Sequence, residues 1–299
     1  RDLIALTRDL VNRELLPKVA EAESTETFPR EVFRTLGRAG LLGLPYPEEY
    51  GGGGQPYEVY LQVVEELARA WMSVAVGVSV HSLTCFPLAT QGTPEQQERW
   101  LTGILSGDQL GAYCLSEPQA GSDVASIRTR AVRDGDDYVI SGTKAWISHA
   151  GHADFYTLFA RTSDDGGRGL SCFHVPAGAE GLSFAEPERK MGLHSDTVGE
   201  VIFDGVRLGE EHRIGASGQG MQLALAALDS GRLGIAAAAT GLAQRALEVA
   251  SAYAQERQQF GRPIADNQGI QWMLADMAKD IHAARLLVHD AAARLDAGE

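Results

Sequence analysis

The chain has 299 residues, 44% of them hydrophobic, so it can bury a full core spread over two or three lobes. Its net charge of −14 and the lack of a long basic block argue against nucleic acid as the main partner. Cys85, Cys114 and Cys172 form no C-x-x-C pair, which argues against a disulfide framework or a zinc site and favours a reducing compartment.

The longest apolar run lies near residues 70–80 and is interrupted by Ser73, Gly77 and Ser79. We therefore expect no membrane span, because the run is too short to cross a bilayer. The sequence begins at Arg1 with no basic-then-apolar leader after it, so it leaves targeting open.

Residues 1–112 are predicted to form an N-terminal helical domain. Thr93-Pro94-Glu95-Gln96 is a strong helix start, with Thr93 as the cap and the Gln96 side chain able to reach back to it. The segment EEYGGGGQP, residues 48–56, predicts a flexible loop, since it lacks the Lys-Ser/Thr of a phosphate-binding loop.

Residues 113–212 are predicted to form a middle β domain. Short alternating segments are separated by turns rich in Gly and Asp, and Asp134-Gly135 stands where a hairpin would turn. Several short strands at regular spacing predict a small β-sandwich or barrel of about 100 residues.

Residues 213–299 are predicted to be helical again. A long helix follows Gly218, a break covers residues 257–263, and a second long helix runs from about Asn267 to Leu295. The apolar residues near heptad spacing on this second helix are Ile270, Leu274, Met277, Ile281 and Leu286. Two antiparallel helices bury only part of their apolar surface. Either another subunit completes the bundle, or the protein continues beyond this sequence.

The loop that begins at Cys114, CLSEPQAGSDVASIRTRA, combines hydroxyl groups with a bare backbone at Gly121. Such a loop can direct N–H and hydroxyl donors at a ligand, although an ordinary turn explains these residues equally well. Trp146 ends a later strand, where a core or interface role competes with contact to a cofactor.

Four blocks together resemble the acyl-CoA dehydrogenase family: YCLSEPQAGSD from Tyr113, GTKAWISHAG from Gly142, LDSGRLGIAA from Leu228 and ERQQFGRPIADNQ from Glu256. The resemblance covers almost the whole chain. It implies an α+β multidomain fold with an N-terminal helical domain, a middle β domain and a C-terminal four-helix bundle, of which this chain holds the first part.

The same resemblance implies FAD as the cofactor and homo-oligomers, with a tetramer built as a dimer of dimers. It implies cofactor contacts from one subunit through Tyr113, Leu115, Ser116, Gly121, Ser122, Trp146, Ile147 and Ser148, and from a neighbouring subunit through Arg257, Phe260 and Gln268. It implies substrate contacts through Ser122, Asp229, Gly231 and Arg232. A solvent-exposed Arg257 and a salt bridge between Arg232 and Asp229 are the competing interpretations.

The implied reaction is α,β-dehydrogenation of an acyl-CoA thioester to the trans-2-enoyl-CoA, as in fatty acid β-oxidation, with electrons passed to an electron-transferring flavoprotein. Gly231 stands where some members carry the catalytic Glu, so we expect the base in a later C-terminal segment and name no catalytic residue. The alternatives are an acyl-CoA oxidase, a flavin monooxygenase, a nitroalkane oxidase or an inactive CoA- or FAD-binding scaffold. The expected location is the cytoplasm, with the mitochondrial matrix as the alternative.

Overall fold

A computed structural model describes residues 2–298, and its first part is helical. The predicted capping box is confirmed, because Thr93 accepts a hydrogen bond from the Gln96 N–H while the Gln96 side chain accepts one from the Thr93 N–H. The helices are α1 (Asp2–Leu10), α2 (Leu16–Thr25), α3 (Arg30–Arg38), α4 (Tyr57–Ala70), α5 (Met72–Gln91), α6 (Pro94–Gln96) and α7 (Thr102–Leu105).

The apolar run near residues 70–80 belongs to α5, which is 20 residues long. The prediction that this segment is too short to span a bilayer was therefore wrong, because the helix is longer than the run. Within the described residues, α5 and a later helix, Gly220–Glu256, are long and apolar enough to cross a membrane by length and composition alone. Inside the protein, 67% of the apolar window of α5 is buried. Its apolar side chains therefore have protein neighbours.

The glycine-rich segment 48–56 is an ordered turn, and the prediction of a flexible loop was wrong. Gly53 donates its N–H to the Gly43 carbonyl, and Gly54 donates to Tyr46. A Cβ atom at Gly52 would lie 2.2 Å from the carbonyl oxygen of Tyr46. These glycines therefore permit two backbone segments to approach closely.

Eight strands within residues 2–298 form one mixed sheet, in the order β6-β7-β3-β2-β4-β5-β8, with β1 parallel to β4. The predicted hairpin at Asp134-Gly135 is confirmed, since Asp134 pairs with Asp137 across a two-residue turn. The strands are β1 (Gly111–Cys114), β2 (Arg130–Asp134), β3 (Asp137–Ser148), β4 (Phe155–Arg161), β5 (Leu170–Pro176), β6 (Leu182–Phe184), β7 (Val198–Gly209) and β8 (Arg213–Ile214).

The sheet folds over itself in the manner of a sandwich. Its two halves are joined between β2 and β4 by the pairing of Arg130 with Arg161. Side chains from both halves then share one core, in which the rings of Tyr138 on β3 and Phe173 on β5 lie 5.1 Å apart. The domain boundaries after residues 112 and 212 remain predictions.

Two long helices follow, α8 (Gly220–Glu256) and α9 (Gln268–Asp296), joined by a small hairpin of β9 (Gln258–Gln259) and β10 (Arg262–Pro263). α8 packs against α4 and α5 through small residues, and a Cβ atom at Gly241 would lie 2.1 Å from the Glu65 carbonyl oxygen. The predicted apolar face of α9 was wrong in part. Met277 and Leu286 are exposed, whereas the predicted Ile281 is buried, together with Val288 and Ala292, which were not predicted.

Candidate active site

The loop between β1 and β2, residues 115–129, is called the hydroxyl loop below, and it makes a tight turn near its start. Glu117 and Ala120 exchange both backbone hydrogen bonds, at 2.9 and 3.0 Å, around Pro118-Gln119. Gly121 and Ser122 follow on the exposed side of that turn. A Cβ atom at Gly121 would have no neighbour within 4 Å among the described residues, so this part of the loop has room for a ligand.

Trp146 stands at a bulge in β3, where the pairing with β7 skips between Lys144 and Ile147. Its φ angle of 57° lies in the left-handed region, which is unfavourable for a bulky residue, and its side chain is 57% exposed. The neighbouring Ala145 N–H donates to the Ser116 carbonyl at 3.0 Å. The exposed indole and the hydroxyl loop are therefore fixed side by side.

Four of the predicted cofactor residues are packed into the protein. Leu115 and Ile147 bury their side chains, so only their backbone could meet a ligand. Tyr113 is half-buried, and its hydroxyl donates to the Ala224 carbonyl on α8 at 3.1 Å. Burial raises the pKa of the Tyr113 hydroxyl well above its ordinary value, so it remains a donor. Ser116 is half-buried beside them.

Ser148 ends β3 and donates its hydroxyl to the Oδ2 atom of Asp196 at 3.1 Å. The other oxygen of Asp196, Oδ1, is buried and has no hydrogen-bond partner in the described part of the chain. Burial raises the pKa of Asp196 to about 6, although Lys190 and the Ser148 hydroxyl act in the opposite direction. A carboxyl group with a raised pKa thus lies behind a predicted cofactor contact.

A buried ion pair underlies the loop and the bulge. The Lys144 ammonium lies 2.8 Å from a carboxylate oxygen of Glu117, and the two side chains are 0% and 2% exposed. Burial alone would raise the pKa of Glu117, but Lys144 and donors from Thr129 and Arg128 outweigh it and hold that pKa below its ordinary value. Glu117 is therefore a carboxylate at neutral pH.

The predicted substrate residues lie on α8. Asp229 and Arg232 are exposed and form an ion pair with each other one turn apart, so the competing salt bridge is present. Gly231 is buried, and a Cβ atom there would lie 2.5 Å from Cδ2 of Leu83 on α5. The Tyr57 hydroxyl donates to the Ser230 carbonyl at 2.9 Å and fixes this turn to α4.

Arg257, Phe260 and Gln268 lie at the other end of α8. All three are exposed, and Phe260 is fully exposed at a φ of 53° on the hairpin tip. The end of α8 is about 50 Å from the turn that contacts Tyr113, because each helical residue adds 1.5 Å. These residues cannot share one ligand with Tyr113 within a single protomer.

Glu117, Lys144 and Asp196 were missed as site residues. One signal was available for Lys144, because alternation from the buried Tyr138 and Ile140 places it on the inward face of β3. No such pattern exists for Glu117 or Asp196, whose surroundings depend on how distant segments meet. In the described residues, no three His, Cys, Asp or Glu side chains are grouped as metal ligands would be.

Family models match nearly the whole chain. Residues 1–108 match the acyl-CoA dehydrogenase N-terminal domain, residues 112–206 its middle domain and residues 218–299 its C-terminal domain. An acyl-CoA dehydrogenase of Bacillus subtilis is 42% identical over 96% of this chain and 76% of its own length. A short-chain specific acyl-CoA dehydrogenase of Clostridium acetobutylicum is 39% identical over 98% and 78%.

Solved structures share the fold closely. Butyryl-CoA dehydrogenase of Megasphaera elsdenii has a TM-score of 0.97 and 36% identity over 100% of this chain and 79% of its own. A structure described as the electron transferring flavoprotein of Acidaminococcus fermentans has a TM-score of 0.97 and 37% identity, with 99% and 79% covered. A glutaryl-CoA dehydrogenase of Mycobacterium smegmatis in complex with FADH2 has a TM-score of 0.94 and 34% identity, with 100% and 76% covered.

The three-part fold, with a folded sheet between two helical regions, is that of a class of FAD-dependent oxidoreductases. The chain belongs to the acyl-CoA dehydrogenase family. The residues present fit a flavin. The exposed Trp146 indole supplies a flat apolar face, and the open backbone at Gly121 beside the Ser122 hydroxyl supplies polar groups.

Proposed function

We propose that this protein removes two hydrogens from an acyl-CoA thioester to give the trans-2-enoyl-CoA and passes the electrons to an electron-transferring flavoprotein. The observation that carries this proposal is the 3.0 Å hydrogen bond from Ala145 to Ser116, which holds the exposed Trp146 beside the hydroxyl loop. Two matched relatives, one named short-chain specific and one named butyryl-CoA dehydrogenase, favour a short acyl group. The match to the Acidaminococcus structure favours an electron-transferring flavoprotein as the acceptor of the electrons.

The proposed cofactor contacts divide by their exposure. Ser116, Ser122 and Ser148 would offer hydroxyls to the polar edge of FAD, and Trp146 would cover one side of its ring. Tyr113, Leu115, Gly121 and Ile147 would shape the surface through backbone and packing. When bound, FAD supplies the acceptor for the hydride that leaves the β carbon of the substrate.

The substrate contacts follow from the charge and shape of α8. Arg232 would bind CoA phosphates and must exchange its ion pair with Asp229 to do so; both side chains are exposed, so that pair costs little to open. Ser122 would lie between the flavin and the thioester. Gly231 cannot supply the base that removes the α proton, because it has no side chain.

We also propose that FAD is completed across a subunit boundary in a homotetramer. Arg257 forms no ion pair within residues 2–298, and its guanidinium suits a pyrophosphate. Phe260 and Gln268 would accompany it. On α9 the exposed Trp272 and Leu287 would be covered by a neighbouring copy. A cytoplasmic location stays a prediction.

The reaction is tested by adding CoA esters of increasing acyl length, without oxygen, to the purified FAD-containing protein. We expect the visible absorbance of the flavin to fall, most strongly with a short acyl group, and to recover when an electron-transferring flavoprotein is added. Rapid reoxidation by air with peroxide formation would indicate an oxidase or another flavoenzyme of the same fold. No loss of absorbance with any ester would indicate a scaffold without activity.

The shared cofactor site is tested with Arg257→Ala, directly after α8, and a matched control, Arg245→Ala, within α8. Charge-assisted hydrogen bonds contribute about 1.5–3 kcal/mol each, so R257A should weaken FAD binding about tenfold to hundredfold. Arg245 is also exposed but pairs with Glu248, so R245A should leave FAD affinity unchanged. Equal dissociation constants for R257A and the unmodified protein would refute the role of Arg257.

A further inference from the structure

Lys144 is a fully buried ammonium group on a strand that leads directly to the predicted flavin surface. Its side chain has no exposed area and is among the largest fully buried side chains described. Lysine is almost never buried in this way unless it is paired. Its Nζ atom donates to Glu117 at 2.8 Å and to the Leu115 carbonyl at 2.9 Å. Both partners belong to the hydroxyl loop.

Glu117 holds the two ends of that loop together. Its Oε2 atom accepts the Arg128 N–H at 2.6 Å, and its Oε1 atom accepts the Thr129 N–H at 2.9 Å. Oε1 is also the atom that faces Lys144. One carboxylate therefore fixes where the loop begins, where it ends and how it lies against β3.

The ion pair and the predicted cofactor contacts are neighbours in the chain. Ser116 lies between Leu115 and Glu117, which both bind Lys144. Trp146 lies two residues after Lys144, and the intervening Ala145 donates its N–H to Ser116. A displacement of the ion pair would therefore be transmitted to the Ser116 hydroxyl and to the Trp146 indole together.

We propose that Lys144 and Glu117 are positioning residues for FAD, and that their buried ion pair sets the Ser116 hydroxyl and the Trp146 ring in the geometry that the flavin requires. This inference rests on the proposed function. Buried ion pairs are often no more stabilising than apolar residues of the same volume, so stability alone does not explain this one. The need to hold the two cofactor-binding segments in fixed positions relative to each other explains why this ion pair is buried here.

The test compares variants that remove the charges with one that removes a surface pair. Lys144→Met combined with Glu117→Gln removes both charges and keeps both shapes, so it avoids a lone buried charge. Glu117→Asp keeps the charge but shortens the side chain, so it cannot keep all of its contacts. The control is Arg207→Met, which breaks exposed ion pairs with Asp134 and Asp137 in the same domain.

We expect the double variant to fold but to melt at a lower temperature, because the new amide N–H would face a backbone N–H of Arg128 or Thr129 and the Leu115 carbonyl would lose its partner. It should bind FAD at least tenfold more weakly and shift the reduction potential of the bound flavin. With FAD saturating, kcat should fall at least tenfold while KM for the CoA ester changes less than threefold. Glu117→Asp should weaken FAD binding about threefold to tenfold. The Arg207→Met control should match the unmodified protein in all five measurements.

An unchanged FAD dissociation constant and reduction potential in either folded variant would overturn the inference, since the ion pair would then serve the fold alone. The failure of the proposed function is a separate result. If no CoA ester reduces the flavin of the unmodified protein, the dehydrogenase reaction is refuted. The FAD dissociation constants of the variants would still decide whether the ion pair positions the cofactor.

Discussion

Asp196→Asn tests how ionisation of the buried carboxyl group beside Ser148 makes the free energy of unfolding depend on pH. Burial raises the pKa of Asp196 to about 6, whereas an unfolded aspartate titrates near 3.9. The native state therefore binds more protons than the unfolded state between these two values. The free energy of unfolding should fall as pH rises from about 4 to about 6 and then level off.

The structure sets the size of this effect. A pKa difference of about two units corresponds to about 3 kcal/mol of stability lost on ionising Asp196. Lys190 and Glu23 are the charged groups that face it, with opposite effects on its pKa. Asparagine cannot ionise, but its amide would place an unpaired N–H at the position of Oδ1, so the net gain should be about 1–2 kcal/mol at pH 8.

The assay is urea unfolding of the FAD-free protein at pH 4.5 and pH 8, followed by circular dichroism. Asp196→Asn should be more stable than the unmodified protein at pH 8, and most of that advantage should vanish at pH 4.5. Asp204→Asn, an exposed position on β7, is the matched control and should show no advantage at either pH. An advantage of the same size at both pH values would refute the reasoning.

Three further substitutions test the local packing. Trp146→Gly should change the free energy of unfolding by no more than about 1 kcal/mol relative to the unmodified protein, because glycine tolerates a φ of 57°. The same variant should bind FAD at least tenfold more weakly, and unchanged FAD binding measured by fluorescence would refute the role of the indole. Gly231→Ala should cost about 1–3 kcal/mol in urea unfolding by contact with Leu83, and adding Leu83→Ala should restore part. Thr93→Ala should cost about 1 kcal/mol and Thr93→Ser little, and equal losses would contradict the capping role.

Features that depend on neighbouring residues could be predicted from the sequence. The Thr93 capping box and the Asp134-Gly135 hairpin each need only a few consecutive side chains, and both are confirmed. The order of a helical part, a β part and long helices also follows from local periodicity. The glycine-rich turn was predicted wrongly because its order comes from contacts with Tyr46, outside the quoted segment.

Features that depend on distant residues could not be predicted in the same way. The Glu117 carboxylate accepts the Thr129 N–H and pairs with Lys144 on a later strand. The sequence around Glu117 does not indicate either of these contacts. The left-handed Trp146 follows from a bulge in β3, which is fixed by its pairing with β7. The family resemblance pointed to Trp146 but carried no information on its backbone conformation.

The 37-residue helix α8 connects the turn that holds Tyr113 to the hairpin that carries Arg257. Under the proposed assembly, the two ends of α8 contact different FAD molecules, so the length of this helix sets the distance between two active sites. A single residue inserted in its middle would turn one end relative to the other by about 100° and lengthen the rod by about 1.5 Å. A change in the length of α8 should therefore disturb FAD binding even when no residue that contacts FAD is altered.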